Sequence, residues 1–180
     1  MPTRISPPLH SRLKRVKLFL CDVDGVLTDG SIFIGGAGEM KRFHIPDGLG
    51  LIFLRRAGFK VGWVSARPSP VTRARARELK IDFLVQQGDR LSKTGAVAKL
   101  LRRTKLDWDA VCFMGDDVVD LGPLQRAGLA VAVANAGREV KAVAHYVTRT
   151  AGGHGAVRET VEMILKAQKK WDSIVAGYRE

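Results

Sequence analysis

The chain has 180 residues, 46% of them hydrophobic and 27% charged, and a formal net charge of +12. That composition excludes a fibre, a coiled coil and wholesale disorder, and the length suits one domain with a sizeable core. The longest apolar runs are strand-length, so no segment can cross a bilayer as a helix. The basic residues are scattered without aromatic interleaving, so an anion-attracting cleft is expected and nucleic acid is not an expected partner.

Residues 1–15, basic and Pro-containing, lead into no signal-type apolar region and read as a mobile arm. With only Cys21 and Cys112, both in apolar runs, they point to the reducing cytoplasm. Residues 16–21 (VKLFLC) are a continuous apolar run, the pattern of a strand buried in a parallel sheet. Asp22-Val23-Asp24-Gly25 follows at once. Open α/β sheets collect their chemistry just past the carboxyl ends of the strands. Asp22 and Asp24 therefore stand where a nucleophile and a proton donor are useful.

Residues 31–34 and 39–44 alternate around the glycine-rich 35–38, which predicts a hairpin. Asp47-Gly48 opens a helix through Arg56, ended by Gly58. A strand over 60–65 ends at Ser65, with Arg67 just beyond. Pro68 and Pro70 introduce a basic helix carrying Arg73, Arg75 and Arg77. A short strand over 82–85 and a loop over 86–92 precede a helix over 93–103 that begins with Lys93. The strand over 110–114 runs into Gly115-Asp116-Asp117, and 117–127 reads as a short helix in which Asp120 is structural. Strands over 129–134 and 145–147 bracket a helix over 138–144. The loop 151–156 (AGGHGA) leads to a terminal helix over 157–170, and residues 171–180 form an apolar-flavoured tail. Strands alternating with helices predict an α/β, doubly wound, mostly parallel, Rossmann-like sheet with a protruding hairpin. One domain over 16–170 is expected.

Three strand ends thus carry Asp22 and Asp24, Ser65 and Arg67, and Asp116 with Asp117. Carboxylates converging on one sheet edge repel one another, and a divalent cation relieves the repulsion. Oxygen-only ligands favour magnesium, and no His/Cys pattern of zinc spacing competes. Ser65 and Lys93 are donors suited to phosphate oxygens. The set fits phosphoryl transfer, with an aspartyl-phosphate on Asp22 and Asp24 as acid and base.

DVDGVLTDG, Ser65, Lys93 and GDDVVD, in that order, resemble the haloacid dehalogenase superfamily of phosphohydrolases. The segments EMKRFHIPDGLG, SAR and AGGHGAVRE are similar to its capless sugar-acid phosphatases, over most of the chain. The resemblance implies no large cap domain and magnesium held by Asp22, the Asp24 carbonyl and Asp116, with Asp117 in support. It implies phosphate on Ser65 and Lys93, and substrate contacts from Asp47, Gly48, Arg67 and Arg75. It also implies a homotetramer with the hairpin and the tail at subunit contacts. The implied substrate is a phosphorylated sugar acid, 3-deoxy-D-manno-octulosonate 8-phosphate (KDO 8-phosphate) of lipopolysaccharide synthesis. A nonulosonate 9-phosphate (KDN or sialic acid) is the alternative, because Ile52 stands at an often basic family position. Ala66 and His154 are further departures. A receiver-type phospho-acceptor module and a nucleic-acid-binding protein are the non-enzymatic alternatives. In the former the acidic pair would end the first strand and the acceptor Asp a later one.

Overall fold

The computed structural model describes residues 6–36, 38–86 and 93–179. The expected arm over residues 1–5, Ala37 of the hairpin turn, residues 87–92 of the expected loop and Glu180 lie outside them. In chain order the strands are β1 (Leu18–Cys21), β2 (Phe33–Gly35), β3 (Gly38–Met40), β4 (Lys60–Ser65), β5 (Phe83–Gln86), β6 (Val111–Gly115), β7 (Leu129–Ala132) and β8 (Tyr146–Val147). The helices are α1 (Pro7–Arg15), α2 (Ile45–Arg56), α3 (Pro70–Glu78), α4 (Lys93–Thr104), α5 (Leu121–Arg126), α6 (Arg138–Val143), α7 (Ala156–Ala167) and α8 (Trp171–Ala176).

Six strands form one parallel sheet in the order β5-β4-β1-β6-β7-β8, while β2 and β3 make a separate antiparallel hairpin. The expected doubly wound sheet is present. β1, β6 and β7 are buried along their whole length, which is why they read as unbroken apolar runs. Phe19, Trp63, Phe113 and Met114 fill the centre of the core. α1, α2 and α7 pack as one group and α4, α5 and α6 as another. The buried Val157, Val161, Ile164 and Leu165 form the apolar stripe of α7.

The topology fixes where chemistry can sit. The chain leaves β1 toward β4 and β5 on one side, then crosses to β6, β7 and β8 on the other. The crevice between the carboxyl ends of β1 and β6 is therefore the switch point, where open α/β sheets take their ligands.

One terminal expectation is corrected. From residue 7 the expected mobile arm is α1, with Leu13 buried in the core and Arg12 Nη1 donating to the Gly128 carbonyl at 2.6 Å. Gln168, at the C-cap of α7, donates to the Leu13 and Val16 carbonyls and ties the end of α1 down. Pro7 and Pro8 open α1, and in a first turn proline loses no hydrogen bond. The tail over 171–180 contains α8, which packs on its own chain. Phe53 of α2 meets Trp171 and Tyr178 edge to face, with centroids 6.0 and 5.6 Å away. The hairpin is also shorter than expected, because β3 ends at Met40 and residues 41–44 are not in a strand.

Candidate active site

Parallel pairing of β1 with β6 sets Cys21 beside Met114, and the Asp22 amide donates to the Met114 carbonyl at 3.0 Å. Asp22 and Asp116 therefore emerge side by side. The loop after β1 then folds on itself. Leu27 N–H reaches the Val23 carbonyl at 2.9 Å, and Thr28 Oγ1 accepts from the Gly25 and Gly30 amides. Gly25 has φ +91°, and a Cβ there would lie 2.1 Å from Asp116 Oδ2. Only glycine gives both that turn and that close approach. The late loop closes on the same turn, with the Gly153 amide on the Val26 carbonyl at 2.9 Å.

Lys93, first residue of α4, is buried. Its Nζ lies 2.8 Å from Asp22 Oδ2 and 2.7 Å from Asp120 Oδ1. Asp120 Oδ2 accepts the Asp116 amide at 3.1 Å. One oxygen each of Asp22, Asp116 and Asp120 lie within 4.8 Å of one another. Burial, then the charges of Asp22 and Asp120, push the Asp116 carboxyl up to about 7. Burial and then Asp120 raise Asp22 in the same way, against the pull of Lys93. Burial alone would lower the Lys93 ammonium, but Asp22 and Asp120 outweigh it and hold it above its ordinary value.

Three carboxylates against one ammonium leave an excess of two negative charges, the amount a divalent cation neutralises. Asp116 Oδ1 is buried with no hydrogen-bond partner, an acceptor that such an ion would satisfy. The donor set is all oxygen, so it fits magnesium.

Asp24, half-buried, meets Lys41 from the hairpin base. Lys41 Nζ lies 2.6 Å from Asp24 Oδ1, within ion-pair reach but off the direction of a hydrogen bond. The Lys41 side chain is fully buried and also donates to Thr72 Oγ1 of α3 at 3.2 Å. Glu39 of β3 takes the Arg67 guanidinium at 2.5 Å and the Ser69 hydroxyl at 2.6 Å. Arg67 first, then Ser69, draw the Glu39 carboxyl down to about 2. Ser65 is buried at the end of β4, and its Oγ accepts the Arg67 amide at 3.1 Å.

Asp22, Asp24, Ser65, Lys93, Arg67 and Asp116 thus all stand at the carboxyl edge or just beyond it. Asp117 does not join the cluster. It is exposed and accepts the Val118 amide at 2.7 Å, capping the 3-10 turn Val118–Asp120. Asp120, expected to be structural only, takes the inward place instead. Asp47 is buried at the third position of α2. Its oxygens accept the Gly155 and Arg158 amides, at 3.1 and 2.6 Å, and contact His44 Nδ1. It caps the start of α7, and both oxygens have partners inside the chain. Gly48 leaves room for Arg75, whose Nη2 would sit 2.7 Å from a Cβ there. Arg75 itself pairs with Glu78 at 2.8 Å and lies over the Phe43 ring. Ile52 lines a groove with Arg55, Glu78 and Leu79.

Sequence reading missed Lys41, Glu39 and Asp120. Charged side chains on a short hairpin read as solvated, and nothing local marks Lys41 as buried. For Asp120 a signal existed: an Asp four residues past Asp116 on a tight turn can point back to the same strand end.

Residues 81–159 match the family model described as haloacid dehalogenase-like hydrolase. The chain is 40% identical over 168 residues to 3-deoxy-D-manno-octulosonate 8-phosphate phosphatase of Yersinia pestis, spanning 92% of this chain and 88% of that one. Its fold is similar to the crystal structure of the Moraxella catarrhalis phosphatase of the same name, in complex with magnesium, phosphate and KDO. The TM-score is 0.91 at 36% identity, over 94% of this chain and 97% of that one. The cobalt-bound enzyme from Haemophilus influenzae gives a TM-score of 0.83 at 39% identity, over 88% and 92% of the two chains.

Proposed function

The chain belongs to the haloacid dehalogenase-like hydrolases, in their KDO 8-phosphate phosphatase family, and on that premise we propose how its site hydrolyses a phosphate monoester. The enzyme is a magnesium-dependent phosphatase whose substrate is KDO 8-phosphate, released as KDO and phosphate. The single observation that carries the roles below is the buried Asp22–Lys93–Asp120 chain beside the orphaned Asp116 oxygen, at the switch point of the sheet.

Asp22 is the nucleophile. Lys93 holds its Oδ2 at 2.8 Å and fixes the carboxylate, so that Oδ1 or Oδ2 meets phosphorus in line. The P–O bond to the sugar breaks as the bond to Asp22 forms, giving an aspartyl-phosphate. Asp24 gives its proton to the departing alkoxide. It then takes one from the water that attacks phosphorus and frees Asp22. Ser65 and Lys93 hold the phosphate oxygens. The Asp22 and Asp116 carboxylates and the Asp24 backbone carbonyl would hold magnesium, which neutralises charge on the phosphoryl group when bound. Arg67 and Arg75 are the cations available to the sugar carboxylate, with Arg67 first released from Glu39. Asp47 fixes the start of α7, since its oxygens accept the Gly155 and Arg158 amides.

The assembly we propose is a homotetramer closed through the hairpin, where Phe33, Ile34 and Met40 are 58, 83 and 65% exposed. No helix among the described residues is long and apolar enough to cross a membrane. The two buried free thiols support a cytoplasmic enzyme.

The test is phosphate release from KDO 8-phosphate, a nonulosonate 9-phosphate and simple sugar phosphates, with magnesium and with chelator. KDO 8-phosphate should give the highest kcat/KM, and turnover should vanish with chelator. A nonulosonate preference would overturn the substrate, and undiminished turnover in chelator would overturn the metal.

A further inference from the structure

The sheet has a second built edge. Lys17 and Asp22 stand at opposite ends of β1, five residues and about 16 Å apart. A groove of about 630 Å³ opens at the Lys17 end, between the starts of β1, β4 and β5 and the ends of α4 and α7. Its size is that of a small-molecule site. The walls are apolar, with Phe59, Phe83 and Leu106 among them. Around them stand four cations, Lys17, Lys60, Arg103 and Lys170.

Two of the cations lie against the aromatic walls. Lys170 Nζ sits 4.7 Å from the Phe59 ring centroid and donates to the Ala57 carbonyl at 2.8 Å. Arg103 lies 5.9 Å from the Phe83 centroid. Lys60 is paired with Asp82 at 3.0 Å, whereas Lys17, Arg103 and Lys170 have no carboxylate partner among the described residues. Gln168 is fixed by its two bonds to the Leu13 and Val16 carbonyls and gives the groove a rigid polar side. These three cations, two of them against aromatic rings, complement a ligand with the opposite pairing: one anionic group on an aromatic body. Inorganic phosphate alone would leave the aromatic walls unused.

We propose that this groove is a binding site for a small aromatic anion, a carboxylate or sulfonate, separate from the phosphatase site. Nothing in the proposed hydrolysis uses it.

The experiment titrates the full chain with 8-anilinonaphthalene-1-sulfonate and with its uncharged relative N-phenyl-1-naphthylamine, read by fluorescence. Saturable one-to-one binding of the sulfonate is expected, with the neutral probe weaker by about tenfold or more. The double variant Lys17→Glu/Arg103→Glu should bind the sulfonate about tenfold more weakly, and Arg103→Gln to an intermediate degree. Phosphate release should be unchanged in both, which reports an intact fold. Equal binding by variant and parent, or equal binding of the two probes, would overturn the proposal. Displacement of the probe by KDO 8-phosphate would assign it to the phosphatase site, and steeply salt-dependent displacement by an oligonucleotide would make the groove part of a polyanion surface. Either result would overturn it too.

Discussion

Asp120 reaches the reacting carboxylate only through Lys93 and the Asp116 amide. That makes it a positioning residue, and its removal should act on chemistry through its neighbours. Asp120→Asn keeps the shape but leaves Lys93 with one anionic partner instead of two. Partners of this kind typically cost 10–100-fold when removed, so kcat should fall by about that range while the circular dichroism spectrum is retained. A kcat within twofold of the parent would show that Lys93 needs Asp22 alone. Asp22→Asn is different in kind. It removes the proposed nucleophile, and phosphate release should fall by roughly 10⁴-fold or more, the scale seen when a covalent catalyst is lost. Trapping of phosphate on the chain should vanish with it. Substantial residual turnover would remove Asp22 from its role.

At the scale of elements, the hairpin is fastened to the sheet by charge more than by apolar contact. Its tip is exposed, but at its base Glu39 holds Arg67 and Ser69, and Lys41 holds Asp24 and Thr72. The carboxyl of Glu39 is depressed from 4.5 to about 2. A depressed carboxyl stabilises the fold above its ordinary value, and that contribution is lost as pH falls through the folded value. The Glu39 clasp should therefore be fully present above pH 4.5 and loosen progressively toward about 2. Hydrogen exchange at the hairpin amides can read this. Glu39→Gln should exchange faster than the parent at pH 7, and the gap should close as the pH approaches 2. A gap independent of pH would mean the clasp depends on shape and not on charge.

Over the whole molecule, the net charge of +12 conceals a local acidic knot at the carboxyl edge and a cationic groove at the opposite one. The acidic knot should dominate the pH response of stability. Asp116 is raised from 3.8 to about 7 by burial and by its acidic neighbours. A raised carboxyl favours the folded state while protonated, below 3.8, and that contribution is lost as pH rises through about 7. Magnesium needs the ionised form, so binding should release protons and offset the lost stability. The gain in Tm on adding magnesium should be larger at pH 8 than at pH 5, measured by calorimetry with and without chelator. Equal gains at the two values would mean that these carboxylates are already ionised without metal.

The sequence by itself determined the alternation of strands and helices, because a strand buried on both faces must be apolar throughout, as residues 18–21 and 111–114 are. It also singled out Asp22, Asp24, Ser65, Lys93 and Asp116 as the proposed chemical set, because each stands at or close to the end of an element that the sheet topology brings to one edge. It could not tell Asp117 from Asp120. Both lie on one tight turn, and only the packing of that turn against β6 decides which carboxylate points inward. Nor could it foresee Lys41 beneath the hairpin, Asp47 as a cap for α7, or α1 and α8 folded onto the core. Each of these depends on a partner about thirty to more than a hundred residues away. Local pattern fixes what a segment can be. Which polar group loses water, and to which distant partner, is decided only when the segments meet.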